Sequence, residues 1–157
     1  MMGETYNLEE MDLSVPFTDT QKFVTPEGET VTITNTFTPA PANRGSSSYT
    51  ATQGTWTSTM SYGIFSMWYK YDLSKNANGG WKISNARDLG YSGAFTKVTS
   101  SSLKIGQASS TSSLPAEVSA NCYVSVFVFD NAWIHIFNGT YTLSVTVNHT
   151  GTLTMKY

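Results

Sequence analysis

Along most of the chain apolar and polar side chains alternate with period two, the spacing of a strand with one face on a core and one in water. The cleanest stretch is residues 30–38. Val31, Ile33 and Phe37 fall on one side, and Thr30, Thr32, Thr34, Thr36 and Thr38 on the other. That pattern predicts a strand over the core with a threonine ladder facing water. Before it, Met11, Leu13, Val15 and Phe17 alternate up to and past Pro16, which predicts an edge strand because proline cannot donate to a ladder. A second strand over residues 21–24 meets the threonine strand through Thr25-Pro26-Glu27-Gly28, where proline presets φ and glycine closes the turn.

Further along, residues 39–48 are a loop by composition, and alternation resumes at 49–59. Residues 62–71 are aromatic on both sides: Phe65, Met67, Tyr69 and Tyr71 oppose Tyr62, Ile64 and Trp68. Such a strand is central in its sheet, or carries a binding face. A turn at 76–80 leads to a return strand over 81–86, a loop over 88–95, and a serine-rich strand over 96–105. A low-complexity connection at 108–113 precedes a long strand over 116–129, with Val118, Ala120, Cys122, Val124, Val126 and Val128 on one face. Asp130-Asn131 is read as a turn into a strand over 133–137. Asn138-Gly139 is the strongest hairpin signal in the chain, because a two-residue type I′ turn needs positive φ twice. Strands over 140–148 and 153–157 flank a turn at 149–151. No segment carries a helical period. The expectation is one domain over 1–157, residues 1–10 forming a flexible lead-in. Its fold class is all-β: an antiparallel β-sandwich, jelly-roll or immunoglobulin-like, of about nine or ten strands.

Composition sharpens the picture. Charged residues are 13% of the chain, where about 25% is usual, and serine and threonine fill the gap at roughly a quarter of all positions. The net charge is −2 and the nine lysines and arginines are scattered. Nucleic acid and anionic membrane surfaces both need clustered basic charge, so neither is an expected partner. No apolar run approaches the length of a transmembrane helix, and the polar stretch 96–113 lacks the alternation that a lipid-facing strand requires.

Candidate chemistry is sparse. The single cysteine, Cys122, alternates with core residues and is read as a buried thiol, not a nucleophile. His135 and His149 lie in a strand and a turn, far apart in sequence. There is no nucleophile elbow, phosphate loop, dinucleotide fingerprint or calcium loop, so no cofactor, metal ligand or catalytic residue is expected. Asp72, Asp88 and Asp130 sit at turns; a glycosidase pair among them is the one enzymatic alternative. What stands out is aromatic supply, with four Trp and nine Tyr in a small β domain. Sugar rings stack their C–H faces on such side chains while amides and hydroxyls bond the sugar hydroxyls. The candidate ligand-binding residues are Trp56, Trp68, Trp81, Tyr91 and Trp133. The competing explanation is that these rings fill the core.

Several segments together resemble a family of small secreted β domains of unknown function from Gram-positive anaerobes. They are Gly54-Thr55-Trp56, Phe65-Ser66-Met67-Trp68-Tyr69 ending in Asp72, Lys82-Ile83-Ser84-Asn85-Ala86, Ser101-Ser102-Leu103-Lys104-Ile105 and the strand around Val124 and Phe127. The resemblance departs at the loop over 39–48. It implies an extracellular or cell-surface location and a structural or binding role, and it supplies no activity or cofactor. Exclusion of charged partners, joined to the aromatic and hydroxyl supply, makes a glycan or a cell-surface protein the expected partner. Met1 to Asp12 is too acidic and polar for a signal peptide, so export expects a leader encoded upstream.

Overall fold

The computed structural model describes residues 3–26, 28–39, 52–63, 65–94, 96–129 and 133–157. Ten strands form two five-stranded antiparallel sheets. They are β1 (Gly3–Asn7), β2 (Phe17–Val24), β3 (Thr30–Pro39), β4 (Thr52–Tyr62), β5 (Phe65–Lys75), β6 (Trp81–Gly93), β7 (Thr96–Gln107), β8 (Ala116–Phe129), β9 (Trp133–Val147) and β10 (Thr152–Lys156). Sheet A has the order β1-β10-β9-β8-β7, and sheet B the order β2-β3-β4-β5-β6. There is no helix among the described residues.

The antiparallel sandwich follows from the alternation. In β3 the side chains of Val31, Ile33 and Phe37 are buried while Thr32, Thr34 and Thr36 are half-buried on the other face. In β5 Phe65, Met67, Tyr69 and Tyr71 point inward. In β8 Ala116, Val118, Ala120, Cys122 and Val124 do the same, and burial pushes the Cys122 thiol pKa up. The two inner faces meet through long side chains. Tyr69 donates its hydroxyl to the Leu143 carbonyl at 2.9 Å, and Tyr141 packs on Tyr62 and Phe65 with ring centroids 5.3 and 5.0 Å apart. One side of the sandwich is closed by backbone bonds from the start of β6 to the segment after β7: Ile83 N–H to Ala108 and Ser110 N–H to Trp81, both 2.8 Å.

Both sheets are meanders. Every paired strand is a chain neighbour except β1, which closes sheet A against β10. Jelly rolls and immunoglobulin domains contain Greek-key crossovers. This strand order has none, so the sandwich is built by up-and-down succession instead.

Four local expectations change. The lead-in over 1–10 contains β1, in register with β10 from Gly3–Lys156 to Asn7–Thr152. The expected strand over 11–17 is a run of turns and bends before β2. There Asp12 Oδ1 accepts from the Ser14 N–H and hydroxyl, a local arrangement that replaces the ladder. Asn138-Gly139 does not turn; β9 runs straight through, with Asn138 opposite Ser125 and Gly139 opposite Val124. A hairpin there would leave the second half of β8 without a ladder partner, and pairing with β8 outweighs the local turn preference. Finally, residues 88–93 continue β6 instead of looping. Within 62–71, Tyr62 ends β4 and Gly63 turns the chain at φ 58° before β5 begins at Phe65. The expected loop at 40–48 and the turn at 130–131 lie outside the described residues.

The edges of both sheets are irregular. β1 is only five residues long. β2 points Asp19 inward, where its carboxylate accepts the Tyr6 hydroxyl at 2.6 Å. β7 shifts register twice against β8. β6 shifts register twice against β5, near Asn85 and Asp88, which are the only described non-glycine residues at positive φ (53° and 58°). Asn and Asp tolerate that left-handed conformation better than other side chains but still at a cost. Asp88→Gly is therefore expected to stabilise the domain by about 0.5–1 kcal/mol, and Asp88→Ala to destabilise it by about 1 kcal/mol. The exposed Lys70–Asp88 pair, at 3.8 Å, is too solvated to reverse that order. Urea titrations of the two variants check it.

Candidate functional site

The outward face of sheet B is laid out by strand register. One cross-strand row runs Thr20, Thr34, Thr59, Trp68, Gly90. The next runs Thr18, Thr36, Thr57, Lys70, Arg87. On the other side lies Lys22, Thr32, Ser61, Ser66, Ser92. A further row pairs Thr38, Thr55, Asp72 and Ser84. Threonine suits these positions because its branched Cβ fits a pleated, half-exposed surface. Neighbouring hydroxyls bond across strands, as between Thr20 and Thr34 at 3.1 Å.

Trp68 is the aromatic group on this face. It shares phase with Ser66, Lys70 and Asp72, opposite the buried Phe65, Met67, Tyr69 and Tyr71. Its indole lies over Gly90 on β6. A Cβ at Gly90 would overlap three ring atoms, Nε1, Cε2 and Cζ2, so glycine is what lets the ring come this close to the backbone. Trp68 is half-buried overall.

Beside it lies a polar cluster that the two bulges of β6 create. Asp72 Oδ1 accepts from the Thr55 hydroxyl at 2.7 Å and from Arg87 Nη1 at 3.2 Å, and Asp72 Oδ2 accepts from Asn85 Nδ2 at 3.0 Å. Arg87 Nη1 also donates to the Asn85 carbonyl at 2.8 Å, tying down the left-handed residue. Three donors converge on Asp72 and hold its side chain in place as a structural staple. Asp88 is exposed and pairs with Lys70. Asp130 lies outside the described residues.

The five residues singled out from sequence are not brought together. Trp56 is wholly buried, packed against Tyr6, Phe17 and Phe37. Trp81 is 3% exposed, with its N–H donated to Glu9 at 3.3 Å and Lys75 over its ring at 4.8 Å; Lys75 also pairs with Glu9. Neither ring can stack on a ligand. Trp68 stands on the outer face. Tyr91 is 42% exposed on β6, opposite Met67 in register and so of opposite phase to Trp68. The Trp133 and His135 side chains lie outside the described residues. Sequence reasoning missed Gly90 and the Asn85–Arg87–Asp72 cluster, both of which depend on the β5–β6 register. The threonine rows had a signal in the alternating Thr18, Thr20 and Thr55, Thr57, Thr59.

At one end of the sandwich a cavity of about 240 Å³ is lined by Thr111, Leu114, Thr146, His149 and Thr154 among others. His149 Nδ1 is 3.4 Å from the buried Ser110 hydroxyl, which also accepts the backbone N–H of Trp81. Among the described residues no carboxylate joins them in a relay. Among the described residues there is no group of three potential metal ligands, and no helix long and apolar enough to cross a membrane. Compared with known proteins, the chain matches no family model, no curated protein and no solved structure.

Proposed function

We propose that this chain is a non-catalytic binding module of an exported or cell-surface protein, and that the outer face of sheet B holds its ligand, a glycan. The observation that carries the reading is Trp68. Its indole lies against Gly90 on the outer face of sheet B, amid threonine and serine hydroxyls. A flat aromatic ring offers a sugar's C–H face an apolar, electron-rich platform, and surrounding hydroxyls and amides bond the ring substituents. Binding without turnover is supported by Asp72 being committed to Thr55, Arg87 and Asn85. Export is supported by the low charge, the serine and threonine content and the family resemblance.

A glycan array, followed by titration of the best hit with tryptophan fluorescence, tests the reading. Wild-type protein is expected to bind. Trp68→Ala is expected to weaken binding at least about tenfold, the equivalent of ~1.4 kcal/mol, with the melting temperature little changed. An array without hits, or a Trp68→Ala variant that binds as wild type, refutes it. Capture of a protein ligand on the same face would instead favour an adhesion module.

A further inference from the structure

The aromatic and hydroxyl groups of sheet B stand in a line across the strands. Thr20, Thr34, Thr59 and Trp68 are successive cross-strand partners, and the Trp68 ring carries the line over Gly90. Neighbouring strands lie about 4.8 Å apart, so the row repeats at that step over roughly 19 Å. Each threonine offers one methyl and one hydroxyl on a stiff, branched stem. The row itself is uncharged. In the row on one side Lys70 faces Asp88 and Arg87 faces Asp72, and the row on the other side carries one cation, Lys22, at its β2 end.

We propose that this row takes an extended, neutral β-1,4-linked hexose chain laid across the strands. One sugar stacks on Trp68 and its successors sit over Thr59, Thr34 and Thr20. The proposal rests on the glycan reading above and names its ligand class. A β-1,4-linked chain is a flat ribbon that advances per sugar by nearly the strand spacing, so one amphipathic side chain meets each ring. An α-1,4-linked chain curls and leaves a flat face after a sugar or two. The hydroxyls and the indole of the row itself carry no charge and so complement a neutral polymer.

Calorimetry on the full chain with cello-oligosaccharides of two to six sugars, and malto-oligosaccharides of the same lengths, tests it. Affinity is expected to rise at least about tenfold from the disaccharide to the pentasaccharide in the β series and to stay flat in the α series. Thr34→Val and Thr59→Val keep the branched shape, so the fold is retained. Thr34→Val is expected to remove most of the gain with length, and Thr59→Val to weaken every length from the disaccharide up. Affinity that ignores chain length, or grows equally in the α series, overturns the row as a site and leaves the Trp68 reading standing. So does a domain that binds neither series but binds another array glycan through Trp68. No binding to any glycan overturns both.

Discussion

Trp56→Ala is expected to cost about 3–5 kcal/mol of folding stability, and to lower the melting temperature by roughly 10 °C or more for a domain of this size. Trp56 is fully buried where β1, β2, β3 and β4 come together, in ring contact with Tyr6, Phe17 and Phe37. The three neighbours are themselves large, held by the ladders of two sheets, and cannot close over the space an indole leaves. One effect runs the other way. The Trp56 N–H has no hydrogen-bond partner among the described residues, so its removal also relieves a buried, unsatisfied donor. That relief is about 1 kcal/mol and does not offset the cavity. Trp68→Ala, on the outer face, is expected to cost only about 1 kcal/mol. Thermal melts of the two variants therefore separate a core tryptophan from a surface one. Equal losses would contradict the assignment of the two faces.

Alkaline unfolding gives the second large effect. Tyr69 and Tyr71 are buried side by side, with ring centroids 5.8 Å apart. Burial raises both phenol pKa values well above 10, and the neighbouring Tyr71 and Glu117 raise Tyr69 further. In the unfolded chain a tyrosine loses its proton near pH 10. Below that pH both states carry the proton and the two residues contribute their full stabilisation. Above it the unfolded state ionises while the folded state does not. Stability then falls by about 1.4 kcal/mol per pH unit for each tyrosine. Two such residues remove roughly 5 kcal/mol between pH 10 and pH 12, comparable to the whole stability of many domains. The domain is expected to unfold cooperatively in that window, with a late burst of tyrosinate absorbance coinciding with loss of the β signal in circular dichroism. Tyr71→Phe should make the decline shallower. Smooth titration of all tyrosines with the fold intact would show that these two rings are not buried as described.

How far the sequence reaches depends on how much of each signal is local. β3, β5 and β8 are covered along their length by neighbours, so their inner faces are almost continuous apolar series, broken in β3 by the buried Asn35, and read directly. The phase of the tryptophans was legible in the same way. Trp56 falls opposite Thr55, Thr57 and Thr59, and Trp68 falls opposite Phe65, Met67, Tyr69 and Tyr71. β1 touches the core through Tyr6, and a single inward aromatic is too little to mark a strand. Residues 84–92 lost their alternation because two inserted residues reset the phase near Asn85 and again near Asp88. Asn138-Gly139 misled because a turn preference is worth less than the ladder that β8 offers. The site was only half visible: threonine spacing and Trp68 could be read along one strand, but the rows they form, and the glycine beneath the indole, exist only once five strands are in register.

The irregular edges decide how this molecule can meet others. A flat, unbroken border strand is a template on which any extended segment can add itself. Here the borders are cut short at β1, kinked twice in β6 and twice in β7, and in β2 carry a carboxylate turned inward at Asp19. Each irregularity removes donors and acceptors from the line that an incoming strand would need. Copies crowded together, whether in tandem on one chain or packed on a surface, are thereby discouraged from zipping into a continuous sheet. Contact is left to the broad faces, and such contacts can be made and released without either partner lending its backbone.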